Sequence, residues 1–506
     1  MTSIDGALKV LDLEDVEKIH NLSIELLWEH GIKVTSAKGR EILLDHGGAA
    51  LKGERVGIRP ELVEKSLSSN APFSLRSNGP GGDLKLLAGN CYVHNFGSAP
   101  VIVDSVGAVP RPSTLKDLIK SVKILDRLTS CDLIYPLVTP TDAPAELARI
   151  ISVATCLQNT SKPVAIPVLN GEETKAAIRL IKAAESGQKA AEPAQKAAES
   201  AQVAPEAAPE SPKRPSRAII TLSPISPLTF NDDFVETLLA AAGHQVPLQS
   251  LPCPILGLTA PMSMAGGLVT QNMESLAFAT LWRLIEPKGD MIYGARLGFA
   301  NMRTGSHMDG RPEKGLLGAA AAQLARKYRL PSDVYGMATG GHAANDVQTG
   351  YDKAIGAFQA MTAKADFTSG LGCLGHAVVT SLEMLVIDDE IFKMLKKVMS
   401  GIKVDKETLA REVIEQASET GFLNQRHTLK HIRSGEIYLS ALDRQLTYEK
   451  WLETGRQGVY DSAQAEVVRL LSLDDQAPQD QAVSETFKEI VSSMKIEDYS
   501  PDLRNY

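Results

Sequence analysis

What the sequence withholds narrows its chemistry first. Its five cysteines, Cys91, Cys131, Cys156, Cys253 and Cys373, are scattered, with no CxxC and no pair at zinc-finger spacing. That pattern favours reduced thiols over a disulfide framework or a cysteine-built metal site. No stretch reaches the about 18 uninterrupted apolar residues of a membrane span, and the start, MTSIDGALKVLDLEDVEKIH, lacks the basic head and apolar core of a signal peptide. A soluble cytoplasmic protein is therefore expected. Basic charge is not in excess either, since 53 Lys and Arg stand against 61 Asp and Glu. A nucleic-acid surface needs clustered cations to displace counterions, so no such partner is expected. Aromatic residues are only 5% of the chain, and the few that gather near one site carry information for that reason.

What is present is a repeated alternation. Strand-like runs occur at Tyr92 to Phe96, Asp132 to Val138, Val164 to Leu169, Ala218 to Leu222, Pro247 to Leu251, Asp290 to Ala295, Asp333 to Met337 and Asp366 to Ser369. Helical periodicity begins near Thr114, Ala145, Gly171, Asn231, Met264, Glu313, Asp346 and Val378, in places with helix-start residues such as Ser113-Thr114 and Asn231-Asp232-Asp233. Eight strands alternating with eight helices predict an α/β fold, a (β/α)8 TIM barrel. The competing architecture, an open doubly wound sheet, usually carries a glycine-rich phosphate turn, and no GxGxxG follows a strand here. In a barrel the turns after the strands hold the chemistry. The last two, YGMATGGHAAND from Tyr335 and TSGLGCLGH from Thr368, are glycine-rich and each bears a histidine.

Outside the repeat, residues 1–90 read as an N-terminal cap of helices and short strands, residues 91–400 as the barrel, and residues 401–506 as a C-terminal helical extension. Residues 184–217, AESGQKAAEPAQKAAESAQVAPEAAPESPKRPSR, hold almost no large apolar side chain and read as a solvated insertion. Lys406 to Glu419 is expected to be an amphipathic helix. His427 and His431 share a helix face by their spacing, but Thr428-Leu429-Lys430 between them is not the glutamate-bearing HExxH pattern, and no metal is expected there.

Several segments in order resemble the trimethylamine methyltransferase family of corrinoid-dependent enzymes. They include NFGSAPVIVD at Asn95, SPISPLTF at Ser223, GLTAPMSMAGGLVTQNMESLA at Gly257, NMRTG at Asn301, DVQTGYDKA at Asp346, SLEMLVIDDEIFKML at Ser381 and RHTLKHIRSGE at Arg426. The resemblance implies the same barrel and transfer of a methyl group from an amine to Co(I) of a cobalamin held on a separate corrinoid protein. The founding enzymes carry pyrrolysine near the turn at Tyr335. Here that turn holds only Met337, Ala338, Thr339, Gly340, Gly341 and His342, without the lysine and acidic residues expected of it. The chain therefore resembles the non-pyrrolysine branch, whose members demethylate quaternary amines such as glycine betaine. Proline betaine, carnitine and γ-butyrobetaine are alternatives. So is a non-catalytic barrel that binds a quaternary amine. A quaternary nitrogen already bears its charge and leaves as a neutral amine, so no general acid is needed and no catalytic residue is assigned.

Such a site needs an aromatic cage for the ammonium head, and Phe96, Tyr293, Phe299 and Tyr335 lie at or just beyond predicted strand ends. A betaine carboxylate needs a donor, for which Arg303, Arg296 and His342 are candidates, and Glu383 is a candidate to balance the ammonium charge. Gly340, Gly341, Gly370 and Gly372 are expected to give clearance to an incoming corrin, with His376 or His342 hydrogen-bonding its amides. No DxHxxG supplies a lower axial histidine, and no HxC with a distant cysteine forms a thiol-activating zinc site. Hence no cofactor is expected on this chain, and cobalamin would arrive on the partner. The setting implied is anaerobic methylamine metabolism, including methanogenesis, and large barrels of this kind often pair as homo-oligomers.

Overall fold

A computed structural model describes residues 8–187, 215–474 and 480–505, apart from residues 418, 420, 444, 495, 497, 498 and 500. Its centre is a sheet of seven strands: β1 (Tyr92–Asn95), β2 (Val164–Pro167), β3 (Ala218–Leu222), β4 (Leu248–Ser250), β5 (Met291–Ala295), β6 (Ser332–Val334) and β7 (Phe367–Leu371). All pair in parallel, in the order β1-β7-β6-β5-β4-β3-β2. No reversal of strand order occurs, which rules out the doubly wound sheet. The fold is mixed α/β with a curled parallel sheet, TIM-barrel-like. β3, β5 and β7 are buried along their whole length, as strands covered on both faces must be.

The strand expected over Asp132 to Val138 is reduced to single bridges. Leu133 bridges His94 and Ile134 bridges Val164, both in parallel, so this segment touches both edges of the sheet. The reason it forms no longer ladder is local. The Asn95 side chain takes both backbone groups of Tyr135, its Oδ1 accepting the Tyr135 N–H at 3.0 Å and its Nδ2 donating to the Tyr135 carbonyl at 2.9 Å. Pro136 then has no N–H to offer.

The N-terminal segment folds as α1 (Leu13–Glu29), α2 (Ala37–Asp45) and α3 (Pro60–Leu67) with short strands between them. The helices that follow are α4 (Leu115–Arg127), α5 (Ala148–Asn159), α6 (Gly171–Gly187), α7 (Asp232–Ala241), α8 (Met264–Ile285), α9 (Pro312–Lys327), α10 (Val347–Thr362) and α11 (Leu382–Met399). Their starts follow the sequence chemistry: Thr114 and Asp117 form a capping box on α4, and Asn231 Oδ1 accepts the Phe234 N–H at 3.1 Å on α7. α8 is buried continuously from Gly267 to Trp282, and α1, α2 and α3 pack on it. The N-terminal helices supply the outer cover of this buried helix, whose polar side chains Gln271, Asn272 and Glu274 are paired within the protein. The cover is also stitched to the barrel mouth, since Lys33 pairs in parallel with Thr229 in the β3–α7 loop.

Three boundaries differ from expectation. α11 starts at Leu382 because Val379–Thr380 pairs with Val101–Ile102 and Ser381 caps Met384. The helix expected over Lys406 to Glu419 is α12 (Arg411–Ala417) only, because a reciprocal turn between Asp405 and Thr408 precedes it. Residues 184–187 close α6, and Arg217 is buried just before β3, donating to the Thr160 carbonyl. The rest of the expected insertion, residues 188–214, lies outside the described residues. Beyond α12 come α13 (Arg426–Arg433), α14 (Tyr448–Glu453), α15 (Val459–Ser472) and α16 (Gln481–Ser493). The last two return to the body through Val467, Leu470, Val483, Phe487 and Ile490. Among the described residues no helix is long and apolar enough to cross a membrane.

Candidate active site

A cavity of about 510 Å³ opens at the C-terminal ends of the strands, lined by Phe96 after β1, Val168 after β2, Ser223 after β3, Leu251 after β4, Arg296 after β5 and Tyr335 after β6. Side chains alternate along a strand. Position 94 therefore shares its side with 96, 333 with 335, and 292 with 296. That parity carries His94, Asp333 and Arg296 toward the interior and the cavity.

These three form a buried charge cluster. Asp333 Oδ2 accepts from Arg296 Nη2 at 2.7 Å and from Gln249 Nε2, whose Oε1 in turn accepts from the Tyr135 hydroxyl at 2.5 Å. His94 Nε2 lies 3.2 Å from both Asp333 oxygens, and its Nδ1 is 2.8 Å from the Asn95 carbonyl. Tyr135 stacks on His94 with ring centroids 4.8 Å apart. Burial alone would raise the Asp333 carboxyl, but the Arg296 guanidinium and the His94 ring hold it down at about 2.

A second cluster sits on the far side of Tyr335. Asp309 Oδ1 meets Lys314 Nζ and lies 3.1 Å from His307 Nε2, while the Asp309 N–H donates to His376 Nδ1 at 3.1 Å. Burial pushes the Asp309 carboxyl up, yet Lys314 and His307 keep it well below the ordinary range. Lys314 Nζ stands 4.7 Å from the Tyr335 ring centroid, and the Tyr335 hydroxyl donates to Cys373 Sγ at 2.7 Å. Tyr335 is thus a wall between two charged clusters, with one ring face already beside a resident cation.

The rim loop after β3 is tied down by Glu274 of α8, which accepts from Ser226 Oγ at 2.8 Å and the Leu228 N–H at 2.7 Å. Burial pushes its carboxyl up to about 7. A raised acid binds its proton in the folded state over a range where the unfolded chain has lost it. Stability therefore falls as pH rises from the ordinary 4.5 through about 7. Glu274→Gln is expected to be near neutral at pH 5 and to stabilise by roughly 1–3 kcal/mol at pH 8. Urea unfolding at the two pH values checks this, and an equal change at both would refute it.

Of the residues expected in the cage, Phe96 and Tyr335 line the cavity. Tyr293 does not, because strand parity turns it outward, where its hydroxyl lies 2.9 Å from Asn272 Oδ1 and 3.2 Å from Gln271 Oε1 on α8. Phe299 is absorbed in a small hairpin opposite Met308, and Arg303 is exposed at that hairpin's tip. The arginine that reaches the cavity is Arg296. His342 is exposed, its ring edge-on to His376 at 6.0 Å, and Glu383 is buried at the start of α11 away from the cavity, its carboxyl pushed up by burial. Among the glycines expected to face a corrin, Gly341, Gly370 and Gly372 face protein instead. A Cβ there would come 2.1 Å from Thr349, 2.8 Å from Met337 and 2.7 Å from Leu385. Gly340 also faces protein, a Cβ there meeting Gln348 Nε2 at 3.2 Å and His376 Cε1 at 3.3 Å, while the partly exposed His376 directly precedes Ala377, which lines the cavity. The sequence reading missed the aromatic walls Tyr135 and Phe234, and it missed His94, Asp333 and Gln249. His427 and His431 do share a face of α13, ring centroids 4.1 Å apart, but among the described residues no His, Cys, Asp and Glu group is arranged to hold a metal.

A family profile described as trimethylamine methyltransferase (MTTB) matches residues 1–497. Trimethylamine methyltransferase MttB of Desulfitobacterium hafniense (strain DSM 10664 / DCB-2) is 27% identical over 489 residues, covering 96% of this chain and 93% of its own. Glycine betaine methyltransferase of Desulfitobacterium hafniense (strain Y51) is 28% identical over 448 residues, covering 87% of this chain and 88% of its own. Among solved structures, monomethylamine methyltransferase MtmB of Methanosarcina barkeri aligns over 92% of this chain and 89% of its own, with TM-score 0.49 and 10% identity.

Proposed function

The chain belongs to the trimethylamine methyltransferase family, and on that premise we propose that it moves a methyl group from a quaternary amine of the glycine betaine type to the cobalt of a corrinoid held on a separate protein. The observation that carries this reading is the pairing, in one cavity, of aromatic walls and a guanidinium: Phe96, Tyr135 and Phe234 with Arg296. Aromatic faces attract a trimethylammonium head by about 0.5–2 kcal/mol each. Arg296 uses three bonds on the Ala295 carbonyl, the Asp333 carbonyl and the Asp333 carboxylate. A guanidinium has five donors, so it keeps N–H groups for a substrate carboxylate. His94 and Asp333 hold it in place. No acid is needed near the nitrogen, consistent with an Asp333 carboxyl held at about 2.

A reduced corrinoid would supply the cobalt nucleophile. The fit to it is a rim of small side chains, Gly97, Ser98 and Ala377, lining the cavity, with the partly exposed His376 directly before Ala377 to meet the macrocycle. The segment at 133–134, which bridges both sheet edges, stands as the eighth strand of a closed (β/α)8 barrel. That closure gives the cavity a single mouth for substrate and cobalt. A cavity of about 510 Å³ exceeds what glycine betaine fills, which favours keeping carnitine, γ-butyrobetaine and proline betaine in the substrate panel.

Anaerobic mixing with reduced cobalamin and each amine, followed by the corrinoid absorbance change, tests the reading. Turnover is expected with a carboxylate-bearing quaternary amine and not with trimethylamine. No change with any quaternary amine sinks it. Phe234→Ala is expected to weaken substrate binding by roughly 2–30-fold, the factor for losing one cation–π wall, with a smaller effect on kcat. Calorimetry of the substrate alone separates loss of binding from loss of transfer.

A further inference from the structure

Four buried side chains at the floor of the cavity close on one another in a ring. Asp333 of β6 accepts from Gln249 of β4, and Gln249 Oε1 accepts from the Tyr135 hydroxyl at 2.5 Å. Tyr135 stacks on His94 of β1 with centroids 4.8 Å apart, and His94 Nε2 returns to both Asp333 oxygens at 3.2 Å. The ring thus joins β1, β4, β6 and the segment that follows the bridges at 133–134, across the barrel interior. In a closed ring no member turns without disturbing two contacts, and burial makes each hydrogen bond in it stronger than it would be in water. The groups that face the cavity hang on this ring. Asp333 holds Arg296 at 2.7 Å. Tyr135 is itself a member, and Asn95, which grips both Tyr135 backbone groups, also donates to the Phe96 carbonyl at 2.6 Å. Two aromatic walls and the guanidinium are therefore one unit, whereas Phe234 stands apart on α7.

Resting on the reading that the substrate is a carboxylate-bearing quaternary amine, we propose that the Gln249–Tyr135 hydrogen bond fixes the separation of the ammonium and carboxylate subsites, so that the chain selects its substrate by the number of carbons between the two charges. Gln249 and Asp333 are not among the residues lining the cavity. They are positioning residues, acting through Tyr135 and Arg296. A guanidinium free to swing on its long stem would meet ligands of several lengths at little cost. Held from behind, it makes a ligand one methylene too long or too short give up either the aromatic contact or the carboxylate pair, a loss of about 10–200-fold. At about 510 Å³ the cavity does not select by volume, and selection falls to the two fixed poles.

Calorimetry of the full chain with a homologous series of trimethylammonio carboxylates, one to five methylenes between nitrogen and carboxylate, tests this, with tetramethylammonium as the ligand that has no carboxylate. Wild type is expected to show one optimum, with the neighbouring lengths at least about tenfold weaker. Tyr135→Phe keeps the stacked ring and deletes only the hydroxyl. It is expected to shrink that margin to below about threefold, and to weaken the optimal ligand at least about tenfold more than tetramethylammonium. Tyr135→Phe with Gln249→Met removes both ends of the bond and leaves neither unpaired, so it is expected to flatten the profile in the same way even where the single variant folds poorly. A flat length profile in wild type overturns the proposal and leaves the substrate reading standing. So does an unchanged margin in both variants. An equal loss for every ligand, tetramethylammonium included, overturns it in favour of a structural role for the bond. A wild-type chain that binds no member of the series overturns the substrate reading, and the proposal with it.

Discussion

Asp333→Ala is expected to destabilise the protein by about 3–5 kcal/mol, the cost of leaving buried charge without its counterpart. Two partners are orphaned at once: Arg296, 2.7 Å away, and His94, 3.2 Å away, with Asp333 itself 1% exposed. Gln249 loses an acceptor as well. The wild-type cluster has its own pH signature. A carboxyl lowered from its ordinary 3.8 to about 2 contributes stability above the ordinary value and loses it as pH falls through the folded one. That share is of the order of a few kcal/mol, given up between roughly pH 5 and pH 2. Urea unfolding at pH 7 and pH 3 measures both. A variant within about 1 kcal/mol of wild type at pH 7 would mean that solvent reaches the cluster and screens it. Asp333→Asn is expected to fall between the two, since the amide still accepts from Arg296 but returns no charge.

The strand positions were legible because buried parallel strands are short apolar runs bounded by turns, and seven of the eight proposed runs form β1 to β7. The eighth was not, because what limits it is a side chain from a neighbouring strand end, Asn95, taking the backbone groups of Tyr135. The site was legible only where strand parity and strand end agreed. Phe96 and Tyr335 reach the cavity by that rule. Tyr293 was misplaced by treating nearness to a strand end as sufficient, although it differs by one from Ile292, which faces the barrel interior, and so must face outward. The same parity, applied strictly, would have paired Arg296 with Asp333 across β5 and β6. Phe234 had no such signal, since it comes from the first turn of α7, a helix whose tilt over the mouth no single-sequence pattern encodes. Three of the glycines in the turns proved to serve close packing within the barrel, which composition cannot distinguish from clearance for a ligand.

Beneath that mouth lies a second buried pair, whose loss should read out differently. Lys353 of α10 donates to Asp388 of α11 at 2.8 Å and to the Gly370 carbonyl at 3.1 Å, and the Gly372 N–H donates to the same Asp388 oxygen at 2.7 Å. Both side chains are fully buried. The pair therefore pins the end of β7 and the turn that follows, where Gly370 and Gly372 have φ of +124° and +79°. Here burial outweighs the ammonium and pushes the Asp388 carboxyl up to about 6. Lys353→Met removes the ammonium and drives that carboxyl higher still. A raised acid loses stability as pH rises, so the deficit is expected to reach about 3–5 kcal/mol at pH 8. It should shrink at pH 5, where the folded state keeps the carboxyl neutral. Lys353→Met with Asp388→Asn is expected to recover most of the loss and to lose the pH dependence, because the amide oxygen still accepts the Gly372 N–H without burying a charge. Equal deficits for the single variant at pH 5 and pH 8 would assign the loss to packing of the lysine stem instead, and the double variant would then recover nothing.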